Sequence, residues 1–207
     1  MSYVYILTNE AMPGYIKIGL TDKPVSERVL GLDNTSVAIP FQCYYAARVD
    51  DNQKIERALH TAFGDFRVRL NREFFKMDPY KVKVILEVLA IEDVTPKNEL
   101  VASADDSQAL RAVGIKAGKF KFSSAGIPIG AELSFVKDLT ITATVAEDSW
   151  VFFGGIKHSL SSAALEALKS CGYNWTAAPG PEYWLFNGET VSNLRIRQRE
   201  LEESSED

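Results

Sequence analysis

A chain of 207 residues that is 46% apolar and 25% charged, with a formal net charge of -5, has the composition of a globular protein and the length of one large or two small domains. This excludes disorder as the default state and a surface uniformly coated in positive potential, although net charge leaves room for a local basic groove. Cys43 and Cys171 are the only cysteines, which excludes a multi-bridge disulfide framework and a paired-cysteine metal cluster and suits a reducing compartment. The start of the chain lacks a basic leader, and no apolar run nears the roughly 18 residues of a membrane span. A cytoplasmic location is expected, with no membrane partner.

In chain order, "SYVYILT" and "YIKIGLT" alternate apolar with other residues around "NEAMPG", whose Pro-Gly pair signals a turn, and the two predict a hairpin. Val25, Val29 and Leu32 then recur at helical spacing. "PFQCYYAARV" predicts a third strand, and "DDNQKIERALHTAFG" a helix capped by Asp50 or Asp51, striped by Ile55, Leu59 and Phe63, and ended at Gly64. "FRVRLNREFFKM" reads as a further hairpin or strand, and "DPYKVKVILEVLAIED" as a helix with Pro just after a capping Asp. The first unit, 1–95, closes there. Residues 96–119 have no sustained period and read as a linker holding at most a short helix. From 120 to 195 a second α+β unit follows: strands "AELSFV", "TITATVA" and "SWVFFGG", a Ser-capped helix "SLSSAALEALKSCGYNW" ended by Gly172, and "EYWLFNGETV" with an Asn-Gly turn. Residues 196–207 read as a frayed acidic tail.

Within the first hairpin, Tyr3 and Tyr5 share one face of their strand, while Val4 and Ile6 take the other; Lys17 and Gly19 lie opposite Ile16 and Ile18. One face is aliphatic core. The other suits a phosphate: Gly19 permits close backbone approach, Lys17 brings charge, and a tyrosine near a cation has its pKa lowered and can accept a proton. The competing reading is an exposed face carrying ordinary tyrosines. Residues 54–76 add Lys54, Arg57, Arg67, Arg69, Arg72 and Lys76 against Glu56, Asp65 and Glu73, a local basic excess that is either an anion-facing patch or a solvated face. Adjacent Arg72 and Glu73 suggest a local ion pair, the alternative being that Arg72 contacts DNA. His60, one turn beyond Glu56, is placed either to donate to a substrate or shuttle a proton, or at the edge of the apolar stripe.

The Tyr3-Val4-Tyr5 and Lys17-Ile18-Gly19 tripeptides, Arg28 in the next helix and Glu56 beyond a third strand resemble the GIY-YIG nuclease superfamily. Through "GYIKIGLT", the Pro-Phe before the third strand, "IERALHTAF" and "REFF", the chain is similar to the phage-type branch over residues 3–90. That resemblance implies an α+β fold with a small three-stranded antiparallel sheet flanked by helices, and an endonuclease that hydrolyses phosphodiester bonds in DNA with Mg²⁺ or Mn²⁺. It implies Tyr5 as general base or water-orienting group, Arg28 as the cation that stabilises phosphate charge, and Glu56 as the metal carboxylate, with Lys17 and His60 completing the catalytic set. Each role is chemically sound, since a guanidinium binds phosphate through two hydrogen bonds and Mg²⁺ takes few protein carboxylates. DNA contacts are expected from Tyr3, Gly19, Arg57, Arg67, Arg69 and Arg72. Two positions depart from the superfamily pattern: Tyr3 replaces a glycine and Lys17 a tyrosine.

The second unit resembles the restriction-enzyme and adenine-methylase associated (RAMA) modules, which implies sensing of DNA or base modification, with Trp175, Tyr183 and Trp184 as stacking residues. The alternative is that these aromatics fill a small core. Ser159, Ser161 and Ser162 read as helix caps, the adjacent His158 being their one histidine neighbour. Besides a DNA endonuclease, the sequence leaves open a nuclease-fold protein that binds DNA without cutting it, an interaction scaffold suited to a pI of about 5.2, and association as a homodimer.

Overall fold

The computed structural model describes residues 1–34, 37–98, 100–101, 103, 105–110, 120–175 and 178–204, and its contacts divide into two units, Met1–Leu110 and Arg111–Asp207. Within the expected linker, 96–119, residues 99, 102, 104 and 111–119 lie outside the described residues.

Both units are α+β. In the first, β1 (Tyr3–Thr8) and β2 (Tyr15–Thr21) form the expected hairpin, and α1 (Val25–Leu30), β3 (Gln42–Arg48), α2 (Asn52–Ala62), β4 (Phe74–Lys76), α3 (Pro79–Leu89) and β5 (Glu92–Asp93) follow. A short helix, α4, covers residues 105–110. The antiparallel sheet has five strands in the order β4-β2-β1-β3-β5, not three. The two additions are edge strands of three and two residues; β4 falls within "FRVRLNREFFKM", read as a hairpin or strand, and β5 is too short for alternation to mark it. β5 arises where the helix predicted through Asp93 stops at Leu89.

The helix ends follow capping chemistry. Asp51 accepts from the Lys54 amide at 2.9 Å, and Asp78 accepts from the Tyr80 amide at 2.9 Å with Pro79 in the first turn, so each satisfies an otherwise orphan donor. α2 stops at Ala62, and Gly64–Phe66 continues as a 3₁₀ turn.

β1 lies at the centre and is buried on both faces. Tyr5 and Leu7 pack with Val25 and Val29 of α1 and with Phe41, Cys43 and Ala46, while Val4, Ile6, Ile16 and Ile18 are buried on the opposite side. α3 packs against β1 and β3 there, and its Lys83 ammonium lies 5.5 Å from the Tyr45 ring centre. The tyrosine face of the hairpin is therefore a second core layer and not an exposed face, because α1 covers it.

In the second unit, the 3₁₀ turn Phe122–Ala125 precedes β6 (Glu132–Phe135), β7 (Asp138–Glu147), β8 (Trp150–Phe153), β9 (Ile156–His158), α5 (Leu160–Ser170), α6 (Gly180–Tyr183), β10 (Trp184–Phe186), β11 (Glu189–Thr190) and α7 (Val191–Ser204). The sheet order is β11-β10-β6-β7-β8-β9. Asn187 and Gly188 turn between β10 and β11 with φ of 54° and 77°, the left-handed pair that a tight Asn-Gly hairpin requires. β9 escaped the sequence reading, although Gly154 and Gly155, at φ of 57° and 78°, make the same kind of turn. Ser159 caps α5 by accepting from the Ser162 amide at 3.2 Å. The expected frayed tail is instead helical through Ser204 as the end of α7.

Trp184 is 0% exposed, meets Phe135 and Phe153 ring to ring at 5.2 and 5.8 Å, and donates its indole N–H to the Leu160 carbonyl at 3.2 Å. Trp184→Ala is expected to cost the second unit about 3–5 kcal/mol. Urea titration followed by far-ultraviolet circular dichroism should show an early transition, and an unchanged unfolding curve would contradict this core assignment.

Candidate active site

The site begins with a cross-strand contact. Tyr5 of β1 stands directly opposite Gly19 of β2, and its ring lies across the bare glycine: a Cβ at position 19 would sit 2.6 Å from the Tyr5 hydroxyl oxygen. The approach that Gly19 permits is thus made by the Tyr5 ring, which takes the space expected for a phosphate. Gly19→Ala should overpack a buried layer and destabilise the first unit by about 1–3 kcal/mol. A chemical-denaturation midpoint equal to the wild type would show that the ring can yield.

α1 supplies the second group. The Arg28 Nε–H donates to the Tyr5 hydroxyl at 3.3 Å. Burial pushes the Tyr5 phenol above its ordinary pKa, and the Arg28 guanidinium offsets this only in part. The expectation of a lowered pKa is corrected accordingly, since loss of water outweighs one cation. At neutral pH the Tyr5 phenol keeps its proton.

Lys17 and Glu73 form a close ion pair, and the Lys17 ammonium lies 5.5 Å from the Phe74 ring centre. Glu73 therefore turns to Lys17 across the sheet and not to the adjacent Arg72. The Arg72 guanidinium instead donates to the Asn71 carbonyl at 3.1 Å. Glu73 is the member of the site that sequence reasoning missed. Its negative charge acts on both Tyr5 and Glu56.

α2 presents Glu56, Arg57 and His60 to an open cleft of about 360 Å³ that Arg67 also lines. The Glu56 side chain is 17% exposed, and burial pushes its pKa up, with the Glu73 charge adding to the rise and His60, Lys17 and Arg67 opposing it. His60 Nε2 lies 3.0 Å from the Ile18 carbonyl, so that nitrogen carries the proton and donates to β2. The same nitrogen is 3.8 Å from Glu56 Oε1, and the ring packs on Phe75 at 5.0 Å. His60 is therefore a half-buried clamp between helix and sheet, and its Nε2 is not free for a substrate.

Of the other DNA-contact candidates, Arg67, Arg69 and Arg72 lie on the segment beside the cleft, with Arg67 held over the Phe75 ring at 5.8 Å. Tyr3 packs at the margin of the α1 core and donates its hydroxyl to the Met1 sulfur at 3.0 Å. Trp175, Tyr183 and Trp184 are buried: Trp175 meets Tyr183 edge to face at 5.8 Å, and Tyr183 and Trp184 each pack against Phe135. A base needs an open aromatic face, so these three are core residues and not a stacking platform.

Among the described residues, no group of three or more His, Cys, Asp or Glu side chains could hold a metal. A site centred on Glu56 would suit a hard cation that keeps most of its waters, such as Mg²⁺ or Mn²⁺, and not a closed cage. Glu56 fits that role, being a confined carboxylate whose charge is poorly compensated.

This arrangement is that of a small α+β domain with an acidic and basic cleft at one edge of its sheet. Residues 2–91 match the T5orf172 domain, a phage-associated domain found in nuclease contexts, which suggests a nuclease-like or DNA-binding role. The match ends before the second unit. No curated protein and no solved structure matches the chain. Among the described residues, no helix is long and apolar enough to cross a membrane.

Proposed function

We propose that the first unit hydrolyses phosphodiester bonds in DNA with the aid of Mg²⁺ or Mn²⁺. The observation that carries this reading is the Arg28–Tyr5 hydrogen bond within electrostatic reach of Glu56, beside a cleft edged by Arg57 and Arg67. Arg28 uses Nε on the phenol, and its two terminal nitrogens would bind phosphoryl oxygens as a fork. Tyr5 keeps its proton and accepts from Arg28, so its O–H is a donor that can orient a water or a phosphate oxygen. Glu56 would hold the cation, while His60 fixes the helix that carries Glu56 against β2. A divalent cation bound at Glu56 would polarise the phosphoryl oxygen and lower the pKa of a coordinated water.

A second reading, binding without cutting, is favoured by two observations: Tyr5 is fully buried, and the Lys17 charge is taken up by Glu73. Supercoiled plasmid, methylated and unmodified, incubated with the protein and Mg²⁺ or Mn²⁺, separates the two. Nicked or linear product that disappears with a chelator supports hydrolysis. Intact plasmid that is nonetheless retarded on a gel supports binding alone.

A further inference from the structure

Between the cleft and β4 the chain makes a hairpin whose tip folding does not explain. Arg67 bridges to Phe75, the Val68 amide donates to the Phe74 carbonyl at 3.0 Å, and the Arg72 amide donates to the Arg69 carbonyl at 3.0 Å, closing a four-residue turn over Leu70 and Asn71. The tip is braced from inside, because the Arg67 Nε–H donates to the Arg72 carbonyl at 2.7 Å. On this stiff turn Leu70 is 88% exposed, with Val68 at 50% below it. A leucine so placed gains almost nothing from folding, since its apolar surface stays in water. Residues 66–72 contain three arginines and no acidic residue, in a chain of net charge -5.

We infer that this hairpin is a DNA wedge: Leu70 inserts between stacked bases from the minor groove while Arg69 and Arg72 grip the polyanion on either side. The inference rests on the DNA-binding part of the function proposed above and adds how the duplex is held. A single apolar side chain on a rigid support, flanked by cations, has the chemistry by which proteins unstack a base step and kink DNA by about 20–90°. Arginine is drawn to the negative potential of a narrow minor groove, and pyrimidine–purine steps open most easily. A protein partner suits the tip less well, because Leu70 with the half-exposed Phe66 and Val68 offers a small apolar area set among arginines, and leucine is under-represented among binding hot spots. Arg67 belongs both to the hairpin and to the wall of the cleft that holds Glu56, so a duplex wedged here would be bent beside that carboxylate.

The test uses the full chain, chelator in place of divalent cation, and an end-labelled duplex of mixed sequence containing several TA steps. Permanganate, which attacks unstacked thymines, reads the wedge wherever it binds. Wild-type protein should create one or a few newly reactive thymines. Leu70→Ala should still bind the duplex and lose that reactivity, and Leu70→Met, which restores an apolar wedge, should regain it. Arg69→Ala and Arg72→Ala should weaken binding and each make the log–log salt dependence shallower by about 0.9. Bound duplex whose thymines stay unreactive, or reactivity that persists unchanged in Leu70→Ala, overturns the wedge and leaves DNA binding standing. Absence of any complex with the wild-type protein at low salt overturns both.

Discussion

Glu56→Gln is expected to abolish metal-dependent cleavage, leave duplex binding intact and make the folded protein more stable at neutral pH. The first outcome follows from removing the carboxylate that would hold the cation, and the second from keeping the volume of the side chain and the arginines around it. The third follows from the raised pKa of Glu56. A carboxyl whose pKa is higher in the folded state binds protons more readily there than in the unfolded chain, so stability declines as pH rises from 4.5 to the folded value and stays reduced above it. Glutamine carries no such charge. The stability gain of the variant should therefore be present at neutral pH and vanish as the solution is acidified below 4.5. Plasmid cleavage, gel retardation and denaturation midpoints at neutral and acid pH measure the three outcomes separately. Wild-type cutting at limiting Mg²⁺ would remove Glu56 from the metal role, and a variant that is less stable at neutral pH would contradict the electrostatic account.

Arg28→Ala should lower the cleavage rate by about 10²-fold or more, the usual cost of deleting a preorganised group aimed at developing charge. The same change removes the partner that holds the Tyr5 hydroxyl at 3.3 Å, so the phenol pKa should climb further. Arg28→Lys tests the geometry: it keeps the charge but not the planar fork, and recovery should be slight. Single-turnover rates at saturating protein separate turnover from docking. An Arg28→Ala variant that loses affinity alone, with its single-turnover rate unchanged, would reassign the residue to binding.

The parts of this molecule legible in its sequence are those set by neighbours along the chain. The β1–β2 hairpin announced itself by alternation, α2 and α3 by the capping residues Asp51 and Asp78, and the β10–β11 turn by Asn187-Gly188. What could not be read was pairing at a distance. Glu73 reaches Lys17 because β4 joins β2 with Phe74 opposite Lys17, a register that no local pattern encodes, and the adjacent Arg72 was the natural partner by proximity alone. Alternation assigned Tyr3 and Tyr5 correctly to one face but was silent on whether a helix covers it. The aromatic residues Trp175, Tyr183 and Trp184 have a composition equally apt for a core or a stacking platform, and only burial separates the two. The placement of His60 one turn beyond Glu56 was legible in the sequence, and the structure adds Gln53 and Arg57 of the same helix to the cleft wall.

The seating of the Tyr5 ring on Gly19 also constrains how this domain can vary. Two positions on different strands share one volume, so they behave as a single letter of the design alphabet: atoms added at 19 must be removed at 5. A saturation library that randomises position 19 alone should be dominated by glycine, because a Cβ there meets the Tyr5 ring. One that randomises both together should recover pairs with a larger residue at 19 and a smaller one at 5, folded but without the hydroxyl that Arg28 holds. Selection for folding and selection for activity would then part company at this pair, and sequencing the survivors of each would show which demand fixed the tyrosine.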